Sequence, residues 1–185
     1  MRVIAGTLKG RRLEAPTWDG LRPTSDKLRE TLFNVLASCL AGACVLDGYA
    51  GTGAVGIEAL SRGARSVTFV ERDRRAAALV AANLARCGLR EGCAIIRAGF
   101  AEAARRSLPA AAFDLVLLDP PYADEVDLAG VLTAAAPLVA AGGLIVLEHA
   151  RRRESPAAPG DLVRARVVTS GDSALSIYQR RPPGA

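Results

Sequence analysis

Between residues 43 and 148, short apolar runs and helix-patterned segments take turns. The runs at 44–47, 66–71, 94–97, 113–118 and 143–148 have the length and apolar content of buried strands. The stretches between them, 54–61, 74–87, 101–107 and 124–136, carry helical spacing. Strands that alternate with helices run parallel and are joined by right-handed crossovers. The chain is therefore predicted to be an α/β protein on an open, doubly wound sheet. Two further extended runs, 162–169 and 174–180, meet at Ser170-Gly171-Asp172 with no helix between them. They are expected to close a seven-stranded sheet as a C-terminal antiparallel hairpin. Ligands in such sheets bind beyond the carboxyl ends of the parallel strands. Here that edge carries 47–53, Glu71, 98–100 and 119–122.

The first 41 residues stand outside the alternation. Residues 2–5 and 12–15 read as extended pieces around the glycine-bearing 6–10, a small β-hairpin. Thr24-Ser25-Asp26 can cap free amides, and Leu28, Leu32, Val35, Leu36 and Leu40 follow at helical spacing, predicting a helix over 25–40. Two units are expected: an extension over 1–41 and a ligand-binding domain over 42–182. Residues 1–29 hold seven cations (Arg2, Lys9, Arg11, Arg12, Arg22, Lys27, Arg29) against three acids, or +4 of the chain's +5. Such concentration suits an anionic partner, and on charge alone it equally suits a solvated basic face. No apolar run has the length of a membrane span, and the N-terminus lacks a signal-peptide core, so a cytoplasmic location is expected. Four cysteines without a C-x-x-C pair and a single histidine, His149, argue against a metal site.

Gly51-Thr52-Gly53-Ala54-Val55-Gly56 follows a strand and opens a helix, and Glu71 ends the next strand. Glycines there let the backbone approach a ligand, and a carboxylate at that position takes a ribose diol. Both NAD and S-adenosylmethionine fit this arrangement. The strand at 113–118 separates them, because it ends in Asp119-Pro120-Pro121-Tyr122. Prolines cannot continue a ladder, so the turn is stiff and leaves carbonyls without local partners. Such a turn has no task in hydride transfer. It has one in methyl transfer to an exocyclic amine, a poor nucleophile with its lone pair delocalised into the ring. The Asp119 carboxylate and the Pro120 carbonyl can accept its two N–H groups and aim the lone pair at a sulfonium methyl. Tyr122 can stack on an unstacked base, worth roughly 1–3 kcal/mol. The plainer alternative is a capping Asp119 and a Tyr122 that fills core.

These features resemble the class I S-adenosylmethionine-dependent amino-methyltransferases. Three further stretches narrow the resemblance to the bacterial 16S ribosomal RNA guanine-N2 methyltransferase family. They are 2–6 with 10–13, the run Arg22-Pro23-Thr24-Ser25-Asp26-Lys27-Leu28-Arg29-Glu30-Thr31-Leu32-Phe33-Asn34, and Glu58-Ala59-Leu60-Ser61-Arg62-Gly63-Ala64. The resemblance runs from residue 2 to about 180. It implies a Rossmann-like methyltransferase fold with S-adenosylmethionine held by Asp47, Tyr49, Ala50, Gly51, Thr52, Gly53, Glu71, Arg72, Gly99 and Phe100. It implies catalysis at Asp119, Pro120, Pro121 and Tyr122, and 16S rRNA of the small subunit or its assembly intermediate against Arg11, Arg12, Arg22, Thr24 and Arg29. A monomer without membrane attachment is expected. Two departures stand out. The acid that usually receives the adenine amine is replaced by Arg97-Ala98-Gly99-Phe100-Ala101, and Gly48-Tyr49 replaces a bulky apolar pair. The D-P-P-Y turn is shared with DNA adenine-N6 methyltransferases, so those, protein glutamine-N5 methyltransferases and a non-catalytic assembly factor are the alternatives. Glu148 either faces the site or ends a strand at the surface. Trp18 either covers a core edge or stacks on RNA, and Arg151-Arg152-Arg153 reads as a solvated loop.

Overall fold

The computed structural model describes residues 1–18, 24–122 and 126–181. Its elements are α1 (Asp26–Val35), β1 (Cys44–Asp47), α2 (Ala54–Ser61), β2 (Ser66–Val70), α3 (Arg74–Arg86), β3 (Cys93–Ile96) and α4 (Phe100–Arg106). Then follow β4 (Phe113–Leu118), α5 (Leu128–Ala135), a 3-10 turn, β5 (Val139–Ala150), β6 (Leu162–Ser170) and β7 (Ser173–Arg180). The seven strands form one sheet in the order β3-β2-β1-β4-β5-β7-β6. β1 to β5 pair parallel, and β7 pairs antiparallel with both β5 and β6, so β7 alone opposes the other strands. The predicted doubly wound sheet and its C-terminal hairpin are both present.

Burial explains the layering. Val45, Leu46, Leu115, Val116, Leu117 and Leu118 are all buried, as central strands covered on both faces require. One face is covered by α1, α2 and α3 through Leu32, Ile57, Val80 and Leu84, and the other by α4 and α5 through Phe100, Ala103, Leu128 and Leu132. Chain order reverses between β1 and β4, which makes the gap at their carboxyl ends the topological switch point. Those ends are Asp47 and Asp119.

Three elements depart from expectation. α1 stops at Val35, although Leu36 and Leu40 are as buried as the periodicity implied. They reach the core from a turn, with the Cys39 N–H bonded to the Leu36 carbonyl. β5 begins at Val139 rather than 143, because the step from Phe113 to Leu115 in β4 faces the longer span from Val139 to Leu144 in β5, a bulge that Gly142 turns at φ +77°. The helix expected over 124–136 is described from Leu128; Asp124 lies outside the described residues.

The N-terminal hairpin has one bridge, Arg2 to Arg12, flanked by Val3 N–H to the Arg11 carbonyl and Leu13 N–H to the Met1 carbonyl. Too few ladder bonds form for regular strands. Side chains of α2 and α3 hold it instead. The Glu58 carboxylate, wholly buried, accepts the Ile4 and Ala5 N–H groups at 2.7 and 2.9 Å. Ser61 receives the Leu8 N–H and donates to the Ala5 carbonyl. Asn83 binds the Glu14 backbone on both sides. Gly6 has φ +81°, and a Cβ there would lie 1.8 Å from the Ser61 carbonyl oxygen, so only glycine fits.

Candidate active site

A cleft of about 810 Å³ opens at the carboxyl ends of β1, β2, β4 and β5. Its floor is the glycine turn. The Asp47 carboxylate accepts the Gly56 N–H at 3.0 Å inside the first turn of α2. Glu71 accepts the Gly51 N–H at 2.9 Å through one oxygen and the Asp73 N–H at 2.8 Å through the other. Asp73 in turn caps α3. The two acids therefore shape the turn, and Glu71 keeps acceptor capacity toward the cleft, since each of its oxygens accepts more than one bond. Burial pushes the Asp47 carboxyl up to about 7, against the Gly56 bond and with Glu71 adding to the rise. Gly53, at φ +76°, begins α2 without lining the cleft, and Val80 packs where its side chain would stand. Gly48 leaves room for Phe100 and Leu118, whose carbons come within 3.0 Å of a Cβ built there.

This floor discriminates between ligands. A pyrophosphate needs free N–H groups and no nearby anion at a helix N-terminus. Here carboxylates already take the Gly51 and Gly56 amides. A nucleoside with a neutral or cationic tail suits such a site better than a pyrophosphate does.

The opposite wall is the Asp119–Tyr122 turn. Asp119 accepts a bond from the Thr24 hydroxyl at 3.3 Å, so the N-terminal extension reaches the turn. Its carboxyl also stands within hydrogen-bonding reach of Glu148. Burial holds Asp119 well above the usual carboxylate range, and the Glu148 and Asp47 charges raise it further. The Tyr122 hydroxyl donates to Glu148 at 2.8 Å and meets the Ser173 hydroxyl at 2.7 Å, while 39% of the residue stays exposed. Its ring is thus fixed at one end and open to the cleft. The Pro120 carbonyl takes no bond from the described residues. Tyr49 packs on Phe100 with ring centroids 5.4 Å apart, next to Gly99 at the start of α4. Trp18 lines the rim with its ring under the Arg75 guanidinium, 5.0 Å from the centroid.

Of the residues expected at the site, Asp47, Tyr49, Ala50, Gly51, Thr52, Glu71, Arg72, Gly99 and Phe100 line one cleft with Asp119, Pro120, Pro121, Tyr122 and Thr24. Arg29 is a correction. It is wholly buried, bonded to Asp26 at 2.6 Å and the Arg2 carbonyl at 2.9 Å, with Glu58 at 3.8 Å, and reaches no surface where RNA could meet it. Its helix turns it inward, and the basic count could not see that. Arg22 lies outside the described residues. Arg11 and Arg12 are exposed and do not line the cleft. Their hairpin turns at Ser61, the last residue of α2. Ser173 was missed: a serine opening the last strand carries no sequence signal. His149 is buried, with its ring 2.9 Å from Ser176, and is structural.

A family profile described as conserved hypothetical protein 95 matches residues 1–179. The Bacillus subtilis chain provisionally named rRNA methyltransferase YlbH is 40% identical over 98% of this chain and 100% of its own. The Escherichia coli K12 ribosomal RNA small subunit methyltransferase D is 34% identical over 100% of this chain and 92% of its own. An E. coli structure provisionally named methyltransferase yhhF superposes with a TM-score of 0.83 at 32% identity, covering 98% of each chain. The chain belongs to the conserved hypothetical protein 95 family, that of the small-subunit ribosomal RNA methyltransferases D.

Proposed function

We propose that this methyltransferase moves a methyl group from S-adenosylmethionine to the exocyclic N2 amine of a guanine in 16S rRNA of the small subunit or its assembly intermediate. The observation that carries the reading is the Asp119–Tyr122 turn at the switch point, facing a floor lined by carboxylates. Glu71 would hold the ribose diol, and the glycine turn beside Asp47 the amino-acid end. Phe100 and Gly99 would stand against the adenine in place of the missing acid. When bound, the cofactor supplies an electrophilic methyl on a cationic sulfur, which the acids of the cleft favour. Asp119 and the Pro120 carbonyl take the two N–H groups of the amine and favour a pyramidal nitrogen. Tyr122, held at its hydroxyl, offers its face to the flipped base.

The substrate class rests on the family and on the extension. Residues 1–41 form the RNA-facing part and 42–182 the cofactor-binding domain. Arg2 and Arg12 lie opposite each other with both side chains exposed, a like-charge pair that a phosphate would relieve. We place the protein in the cytoplasm as a monomer. The test is to treat unmodified small subunits with the protein and methyl-labelled cofactor and to map the label. One N2-methylguanine in 16S rRNA is expected. Label in DNA adenine or in a protein glutamine would move the enzyme to another substrate class.

A further inference from the structure

Beyond the D-P-P-Y turn, the cleft holds a carboxylate with no part in that reading. Glu148 stands one residue past the last β4–β5 pair, Leu118 to Leu147, which sets it beside Asp119. The Tyr122 hydroxyl donates to its Oε1 at 2.8 Å and meets Ser173 Oγ at 2.7 Å. Ser173 opens β7 and is paired with Ala150 at the end of β5. Glu148 is thereby fixed by contacts that also fix the catalytic turn. The other groups set against Asp119 are Asp47 from β1, Tyr122 from the turn itself and the Thr24 hydroxyl from the extension.

We infer that Glu148 is a positioning residue for methyl transfer: fixed by Tyr122 and set against Asp119, it completes a carboxyl pair that receives the proton the methylated amine loses. The inference rests on the proposed amine methylation. As the N–CH3 bond forms, the S–CH3 bond breaks and its electron pair stays on sulfur, leaving a neutral sulfide. The nitrogen becomes cationic and must shed one of its protons. Asp119 already holds the amine through an N–H, so that proton passes to Asp119. Two carboxyl groups in contact in a desolvated site hold a single proton tightly, so the pair, doubly ionised above the upper of its two titration steps, takes up one proton and shares it. Glu148 therefore spreads the arriving proton over the pair, and its bond to Tyr122 keeps the base-stacking ring in register with Asp119.

Glu148→Gln tests this, because the amide oxygen still accepts from Tyr122 while the charge is gone. The acid limb of the single-turnover pH–rate profile is expected to move down by about one pH unit or more, since Asp119 loses the neighbour that raises it. KM for the subunit should stay unchanged. In the wild-type protein, carbon-13 NMR of the carboxyl carbons should show Asp119 and Glu148 titrating in two shared steps. An unmoved acid limb, or independent single-step titrations, would overturn the inference and leave Glu148 a strand end. Should Glu148→Gln fail to fold by thermal melting, the wild-type titration decides alone. Wild-type protein that labels no guanine N2 would defeat the proposed function, whereas labelling with an unmoved limb defeats only this inference.

Discussion

Asp119 joins three stretches far apart in the chain: its own turn, Thr24 from the extension and Glu148 from β5. In the proposed reaction its side chain would take an N–H of the amine rather than hold the cofactor. Asp119→Ala should therefore lower turnover by on the order of 100-fold or more, the scale of losing one transition-state contact. Affinity for S-adenosylhomocysteine, measured by calorimetry, should change by less than about tenfold. Retained turnover would make the turn a scaffold and not a catalytic group. Asp47 gives the pH prediction. Its folded value, about 7, lies above the ordinary 3.8, so the folded state binds the extra proton between them. Stability then falls as pH rises through that window, by on the order of 4 kcal/mol at most from this group. Asp47→Asn should raise the melting temperature at pH 8 much more than at pH 5, while weakening cofactor binding. Equal shifts at both pH values would contradict the burial argument.

At the scale of elements, the extension depends on α2 more than on its own ladder. Glu58 meets two backbone amides, Arg62 at 2.7 Å and Arg29 at 3.8 Å, with no exposure of its own. Glu58→Ala should cost about 3–5 kcal/mol in urea unfolding, because the Ile4 and Ala5 amides lose their buried acceptor and Arg29 keeps Asp26 as its one remaining carboxylate among the described residues. A loss below about 1 kcal/mol would mean that the packing of Val3 and Leu13 holds the hairpin unaided. Here the limits of the sequence are physical. Strand–helix alternation and turn chemistry gave the sheet and both walls of the cleft, because periodicity and Gly, Pro and Asp positions are local signals. Glu58 opens one of the stretches that carry the family resemblance, yet nothing local assigns it a role. Its role lies in contacts 53 and 54 residues away, which no local pattern carries. Arg29 misled in the same way: charge was countable and burial was not. The bulge in β5 was hidden because Ala140-Ala141-Gly142-Gly143 has no strand propensity, and its neighbour β4 imposes the pairing.

For the whole molecule, the N-terminal extension lies across α2 and α3 and meets the cleft wall, with the Met1 sulfur 3.7 Å from the Thr52 hydroxyl and Thr24 bonded to Asp119. Trp18 and Arg75 mark the rim at the start of α3, while the tip of the hairpin meets Ser61 at the end of α2. An RNA that touched the exposed Arg11 and Arg12 and also entered the cleft would run along the extension. Arg11 and Arg12 do not line the cleft, so contacts to them strengthen binding without touching the reacting atoms. The double variant Arg11→Ala, Arg12→Ala should therefore weaken binding to small subunits and leave the single-turnover rate at saturating RNA unchanged. Each lost phosphate contact also removes released counterions, so the slope of log affinity against log salt should become shallower by about 1 to 2. The measurement is a filter-binding or anisotropy series over salt, run beside the single-turnover assay. A lower rate at saturation with an unchanged salt slope would place Arg11 and Arg12 in the fold of the extension and move the RNA path to another face.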